Sequence, residues 1–264
     1  IVKKSLFGYI PSGIPSQTSD KNYGIISMPE KAYLQDEGLT EAEYVTDNRV
    51  FEMDLNRASY SGSGSTVTDL AGNYNGTLSG ATYTAGDSTN PSYFTFDADS
   101  EEVSWGNVGT YANSSIELWW YSTSVTNYRN AMDGNFGSNA SNTGPRLEQN
   151  NSGTVGMVYG NNSGTFTSQQ FVSSNHPANT WKQYVFTYST TNGSVGYING
   201  SSIGNNSSTL FGGNYGNFEI GQGFTTDSVR SFRGRISIVR LYQKVLSASE
   251  VTKNWTFSRS RFGL

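Results

Sequence analysis

The groups in this chain that could do acid–base, nucleophilic or metal chemistry are few and scattered. There is no cysteine, which removes a thiolate nucleophile, Cys-based metal sites and disulfides together. The one histidine, His176, precedes Pro177 in the loop-like stretch SSNHPANTW. A Ser–His–Asp triad would depend on it alone, and a zinc site would have to be completed by carboxylates. It reads as a solvent-exposed loop residue. Glu117, in SIELWWY, is the best-placed acid, because a strand there puts Ile116, Leu118 and Trp120 on one face and Glu117, Trp119 and Tyr121 on the other. Retaining glycosidic cleavage needs a second carboxylate about 5–5.5 Å away. Trp119 stands two residues after Glu117 and Ser122 five after, so no second acid shares the strand. Glu117 therefore reads as a half-buried or rim acid. No phosphate loop, helical metal pair or Gly-x-Ser-x-Gly elbow is present, and no helix follows Gly221-Gln222-Gly223.

The elements that would hold any site are strands. The chain has 264 residues, 30 of them Gly, with 17 Tyr and 14 Phe, a mixture that favours short strands joined by tight polar turns. Charged residues make up 14%, and 17 Lys and Arg against 21 Asp and Glu leave a net charge of −4. No field therefore exists to attract nucleic acid or an anionic membrane, and the basic stripe Arg233, Arg235 and Arg240 does not change that. No apolar run approaches the roughly 20 residues that span a bilayer, and Leu6 to Ile10 is too short for the apolar part of a leader peptide.

Residues 1–48 differ from the rest. Pro11, Pro15 and Pro29 fall here, half of the six prolines. Large apolar residues are dotted along it, so it reads as an extended arm that orders on a partner surface, with Phe7, Tyr9 and Ile10 as attachment residues. From Arg49 the pattern turns to strands. Residues 127–170 read as long polar loops carrying isolated strand-like pieces at Arg146–Glu148, Val155–Tyr159 and Phe166–Phe171. Trp181–Tyr188 is a clear strand with Tyr184, Phe186 and Tyr188 on one face. Asn192-Gly193 supplies a type I′ turn into Ser194–Ile198, and Asn199-Gly200 turns the chain again. Near the end, Arg235–Tyr242 reads as a strand with Ile236 and Ile238 on one face and Val239 and Leu241 on the other. Ser247 and Glu250 then form a capping box, and Val251 and Trp255 share a helical face.

Four motifs in order carry a family resemblance. The first is DLNRASYSGSGSTVTDLAGNYNGTL from Asp54. The second is YFTFD with the Val103–Trp105 strand, and the third is WKQYVFTY with GSVGYING. The last is FRGRISIVRLYQKVLSASEV from Phe232. Together they resemble laminin-G-like domains of the concanavalin A-like jelly-roll class, over about residues 50–256. The opening motif is similar to that of domains in phage virion proteins and some bacterial surface proteins, and the terminal Arg261-Phe262-Gly263 resembles the ending that follows such domains in phage structural proteins. The resemblance implies an all-β fold: an antiparallel β-sandwich, or jelly roll, with an extended N-terminal arm and one short C-terminal helix. The divisions would be an arm at 1–48, the jelly roll at 49–256 and a tail at 257–264, with Arg261 and Phe262 helping attachment.

The resemblance also implies function. Jelly-roll lectins stack sugars on exposed aromatics, which makes Tyr128, Phe136, Tyr159 and Tyr215 the candidate glycan-binding residues. Related domains hold calcium through oxygen ligands. Asp97, Asp99 and Glu101, with Glu102 beside them, are the candidate Ca2+ ligands, and Asp133 or Asp227 are separate contributors. The expected role is a non-catalytic structural or decoration protein of a virion surface. Its partners would be other virion proteins or copies of itself, in an oligomer, together with a host-surface glycan. A secreted or cell-surface carbohydrate-binding module is the alternative, and a glycoside hydrolase-like enzyme is the third.

Overall fold

The computed structural model of the protein describes residues 44–87, 90–123, 129–134, 144–150, 154–160, 178–210, 213–222 and 230–264, and the backbone of 166–172. Phe7, Tyr9, Ile10, Tyr128, Phe136, His176 and Asp227 lie outside the described residues. Residues 42–264 form one compact unit.

In chain order the strands begin with β1 (Arg49–Asp54), β2 (Thr66–Val67), β3 (Gly76–Ser79), β4 (Thr82–Thr84), β5 (Tyr93–Phe96) and β6 (Glu102–Gly106). Next come β7 (Gly109–Thr110), β8 (Asn113–Ser122), β9 (Arg129–Asp133), β10 (Arg146–Gln149), β11 (Val155–Gly160) and β12 (Phe166–Val172). The last are β13 (Trp181–Ser189), β14 (Gly193–Ile198), β15 (Ser201–Asn206), β16 (Asn214–Tyr215), β17 (Phe218–Ile220) and β18 (Gly234–Tyr242), followed by helix α1 (Ala248–Ser258). Two eight-stranded antiparallel sheets result among the described residues. Sheet 1 runs β15-β14-β13-β8-β18-β5-β4, with β1 also on β18, and sheet 2 runs β12-β11-β10-β9-β17-β6-β3-β2. The fold is thus the antiparallel sandwich with one short C-terminal helix that the motifs imply. The pieces taken as isolated within a polar loop region are β10, β11 and β12, which build one wing of sheet 2.

Period-2 alternation fills the space between the sheets. Ile116, Leu118 and Trp120 of β8 and Tyr184 and Phe186 of β13 meet Val103 and Trp105 of β6, Leu147 of β10 and Phe218 and Ile220 of β17 in one buried cluster. One strand departs from expectation. β18 is bulged at Ser237, between Ile236 and Ile238 in its pairing with β8. The extra residue turns Ile238 to the outer face, so Ile236 shares the core with Val239 and Leu241 instead. Ser237 Oγ donates to the Ser92 carbonyl (2.6 Å) and accepts from Asn56 Nδ2 (3.2 Å), which satisfies the bulge.

The hairpins also sort differently. Asn199 and Gly200, with φ of 50° and 78°, form the two-residue turn between β14 and β15. At the β13–β14 end only Gly193 is left-handed (φ 76°), and Ser189 pairs with Gly193 across the three residues Thr190–Asn192. The opening segment folds around Asp69, whose carboxylate accepts from the backbone N–H groups of Glu52, Ala71, Asn73 and Tyr74.

At the C-terminus the capping box of Ser247 and Glu250 is formed, and the chain continues from α1 into a 3-10 turn at Arg259–Phe262. Phe262 stacks on Trp119 (centroids 4.0 Å apart) and touches Trp181 (4.9 Å). Arg261 Nη1 donates to Asp54 at 2.9 Å. Residues 257–264 are therefore a folded closure of sheet 1's outer face. Phe262 is buried and Arg261 is engaged within the domain, so neither is presented for attachment. The other end is drawn in as well: Tyr44 and Val45 are buried, and Val45 N–H donates to Asn254 Oδ1 at 2.8 Å.

Candidate functional site

The two outer faces of the sandwich carry different chemistry. On sheet 1, Glu52, Arg240 and Glu117 are cross-strand neighbours on β1, β18 and β8. Alternation turns them outward, since Phe51, Met53, Leu118 and Val239 fill the core. Arg240 is completely buried. It donates to Glu52 (3.0 Å), Glu117 (3.2 Å) and Asp54 (3.2 Å) and lies 4.2 Å from the ring centre of Tyr44. Burial alone would pull its pKa down, but the charges of Glu117 and Glu52 outweigh that and hold it charged.

Glu117 accepts in addition from Trp119 Nε1 (3.0 Å), Gln183 Nε2 (2.8 Å) and Asn254 Nδ2 (2.8 Å). Helix α1, through Asn254, covers it. A carboxylate held by four donors and completely buried is placed for a structural role. The expectation of a half-buried or rim acid gives way to a fully buried structural one.

The outer face of sheet 2 carries a second polar row. Phe218 and Ile220 of β17 enter the core, so Glu219 between them points out, and the same alternation turns out Ser104 beside Val103 and Arg146 beside Leu147. The register sets Ser104, Glu219, Asp133 and Arg146 side by side across β6, β17, β9 and β10. Asp133, Glu219 and Arg146 are each under 10% exposed, while Glu102, Ser104, Glu148 and Arg230 form a partly exposed rim. Arg146 Nη2 pairs with Glu148 at 2.9 Å, and Arg230 approaches the same carboxylate at 3.9 Å. Burial, then the charges of Asp133 and Glu102, push Glu219 up to about 9, so it keeps its proton at neutral pH.

Further along the same two strands, past the register shift between Leu147 and Glu148, Asn130 lies opposite Glu148 and is completely buried. Its side-chain amide finds no partner among the described residues at either Nδ2 or Oδ1. Buried amides without partners are rare in native structures, and each calls for an explanation such as a bound group. The partly exposed rim thus offers the Glu102 and Glu148 carboxylates, the Ser104 hydroxyl and the Arg230 guanidinium, backed by the buried neutral acid Glu219, Asp133, Arg146 and the Asn130 amide. That is the donor–acceptor set that sugar hydroxyls require. Gly221 closes β17 beside this row: its φ is 92°, and a Cβ there would meet the Phe96 ring at 2.2 Å.

The other sequence-derived candidates fall elsewhere. Tyr159 is fully buried between Phe186 and Tyr188, its hydroxyl 2.9 Å from Ser194 Oγ. Tyr215 is equally buried, 3.2 Å from Ser114 Oγ and in contact with Phe218. Neither ring offers a face for stacking, because each completes the inter-sheet core. Asp97, Asp99 and Glu101 do not converge either. Glu101's carboxylate accepts from the backbone N–H groups of Asp97 and Ala98, and Asp99 pairs with Arg233. Among the described residues no three His, Cys, Asp or Glu side chains could hold a metal ion.

Of the sheet 2 row, only Asp133 and Glu102 stood out in the sequence. A lone Glu between two core residues in FEIG is the signal that marks Glu219, and the Asp after Met132 is its counterpart.

Residues 97–252 match a laminin G family profile described as "Concanavalin A-like lectin/glucanases superfamily". The chain belongs to this family. Domain 4 of AbnA, a GH43 extracellular arabinanase from Geobacillus stearothermophilus solved in complex with arabinotriose, is similar in fold. Its TM-score is 0.61 at 18% identity, over 78% of this chain and 98% of that one. The receptor-binding domain of botulinum neurotoxin C/D mosaic serotype is similar at TM-score 0.63 and 14% identity over 80% of this chain, which spans 52% of that one. A Trypanosoma rangeli sialidase is similar at TM-score 0.59 and 14% identity, over 85% of this chain and 35% of that one. No protein of curated function matches the chain. Among the described residues no helix is long and apolar enough to cross a membrane.

Proposed function

We propose that this chain is a non-catalytic glycan-binding module whose ligand lies on the outer face of sheet 2. The carrying observation is the row Ser104–Glu219–Asp133–Arg146, rimmed by the partly exposed Glu102, Glu148 and Arg230 and backed by the Asn130 amide, for which no described residue is a partner. Its donors and acceptors are fixed on adjacent strands, so little ordering is needed when a saccharide docks. The family's fold and the arabinotriose held by the AbnA domain support a carbohydrate as the ligand class. The likeness of the opening motif to domains of phage virion and bacterial surface proteins, with the phage-like ending Arg261-Phe262-Gly263, supports display on a virion surface, attached through the residues that precede Tyr44 to other virion proteins or to copies of itself.

Binding to a polysaccharide panel, measured by calorimetry, tests the reading. Asp133→Asn is expected to weaken the best ligand at least tenfold, about 1.4 kcal/mol, with an unchanged melting temperature. Equal binding by the variant, or no ligand in the panel, overturns it. One observation favours a second reading. The retained proton of Glu219 beside the charge of Asp133 resembles the separated acid and base of glycosidic cleavage. Sugar release lost in Glu219→Gln would establish that activity.

A further inference from the structure

Sheet 1 carries an aromatic cluster beyond the edge of the C-terminal closure, on the side of the sandwich opposite the sheet 2 row. Trp181 of β13 pairs with Tyr121 of β8, and Tyr121 pairs with Arg235 of β18, so three neighbouring strands contribute to one patch. Tyr93 of β5 joins it diagonally, since Arg235 pairs with Thr95 two residues further on. The Arg235 guanidinium carbon lies 4.7 Å from the ring centre of Tyr93 and 4.6 Å from that of Tyr121. Trp181 touches both rings, at 6.0 and 5.6 Å, and is braced from behind by Phe262 at 4.9 Å.

All four of these residues are partly exposed, whereas the neighbouring Trp119 and Trp120 are completely buried. Among the described residues no carboxylate pairs with Arg235, although Arg49, Arg57, Arg233, Arg240 and Arg261 of the same domain each have one. A guanidinium flanked by ring faces is held in position with its planar fork of donors still to be used. That fork fits a carboxylate through two parallel hydrogen bonds. The rings beside it supply flat apolar surface, which suits the C–H face of a sugar ring.

We infer that Tyr93, Tyr121, Trp181 and Arg235 form a second binding site, for a saccharide bearing a carboxylate. This rests on the glycan-binding reading for the ligand class, but not on the sheet 2 row. Uronic and sialic acids share the chemistry required.

Calorimetry on the full chain with oligogalacturonate, its methyl ester and sialyllactose tests the site and separates the two sources. At least one acidic sugar is expected to bind, and the galacturonate at least tenfold more tightly than its uncharged ester if it is the one bound. Arg235→Gln is expected to remove the binding at unchanged melting temperature, and Tyr93→Ala to weaken it severalfold. Asp133→Asn should leave it intact. Acidic-sugar binding that survives Arg235→Gln but is lost in Asp133→Asn overturns the second site and leaves the sheet 2 reading standing. Equal affinity for the acid and its methyl ester overturns the carboxylate assignment, and no binding by either acidic sugar overturns the site.

Discussion

Glu219 shows how one side chain records the character of its surroundings. A carboxyl group on a strand between Phe218 and Ile220 is turned outward by the pleat, yet it stays under 10% exposed with Asp133 directly opposite on the next strand. Ionising it would strand a charge away from water, and beside that of Asp133 as well, so the proton is kept up to about pH 9. The consequence for stability has a definite sign. The unfolded chain releases this proton near pH 4.5 while the folded chain retains it. Its contribution is therefore complete below pH 4.5 and declines as pH rises to about 9, by at most about 1.4 kcal/mol per pH unit. Glu219→Gln has no proton to lose. Urea denaturation over that range should find the variant gaining on the parent as pH rises. Parallel curves would show that Glu219 ionises as an ordinary surface carboxylate.

At the scale of elements, the strands were legible and their exceptions were not. Alternation in SIELWWY and WKQYVFTY locates the core faces of β8 and β13 because nothing interrupts the pleat. In RISIVRLY the same reading fails at Ser237, where one bulged residue shifts every later side chain to the opposite face and leaves no mark in composition. Tyr159 and Tyr215 sit among Gly, Asn and Ser, and such surroundings look like loops. Their hydroxyls are satisfied by Ser194 and Ser114, partners distant in sequence, so their burial could not be foreseen. The ionic row Glu52–Arg240–Glu117 was hidden for the same reason, since it joins three strands far apart in the chain.

The terminal segment 257–264 was read as a tail that attaches through Arg261 and Phe262. Its real role follows from Phe262 lying flat on Trp119, with Trp255 stacked at 5.3 Å from the same indole. Phe262→Ala should cost about 3 kcal/mol and admit water to Trp119. A lower urea midpoint together with red-shifted tryptophan emission is expected, and an unchanged spectrum would mean that α1 alone seals this face.

Taken as one body, the sandwich keeps the buried ionic network of sheet 1 apart from the proposed binding row of sheet 2. The outer side of sheet 1 is closed by charges: Glu52, Asp54 and Glu117 surround Arg240, while Arg49, Arg57 and Arg261 approach from the edge. The outer side of sheet 2 bears Asp133, Glu219 and Asn130, and the apolar core stands between the two. Arg240→Met would leave three carboxylates buried without their central partner, a loss of about 3–5 kcal/mol. No atom of that network reaches the sheet 2 row, so whatever fraction of the variant remains folded should bind its glycan with the parent's affinity. Sites that share no partners contribute additively, and the double variant Arg240→Met/Asp133→Asn should show the stability loss of the first and the affinity loss of the second. Denaturation midpoints and calorimetric titration of all four proteins, below the unfolding temperature of the least stable, measure both quantities. Weakened binding in Arg240→Met alone would mean that the ionic row positions the opposite sheet through the core, and the independence of the sheet 2 row from that network would fall.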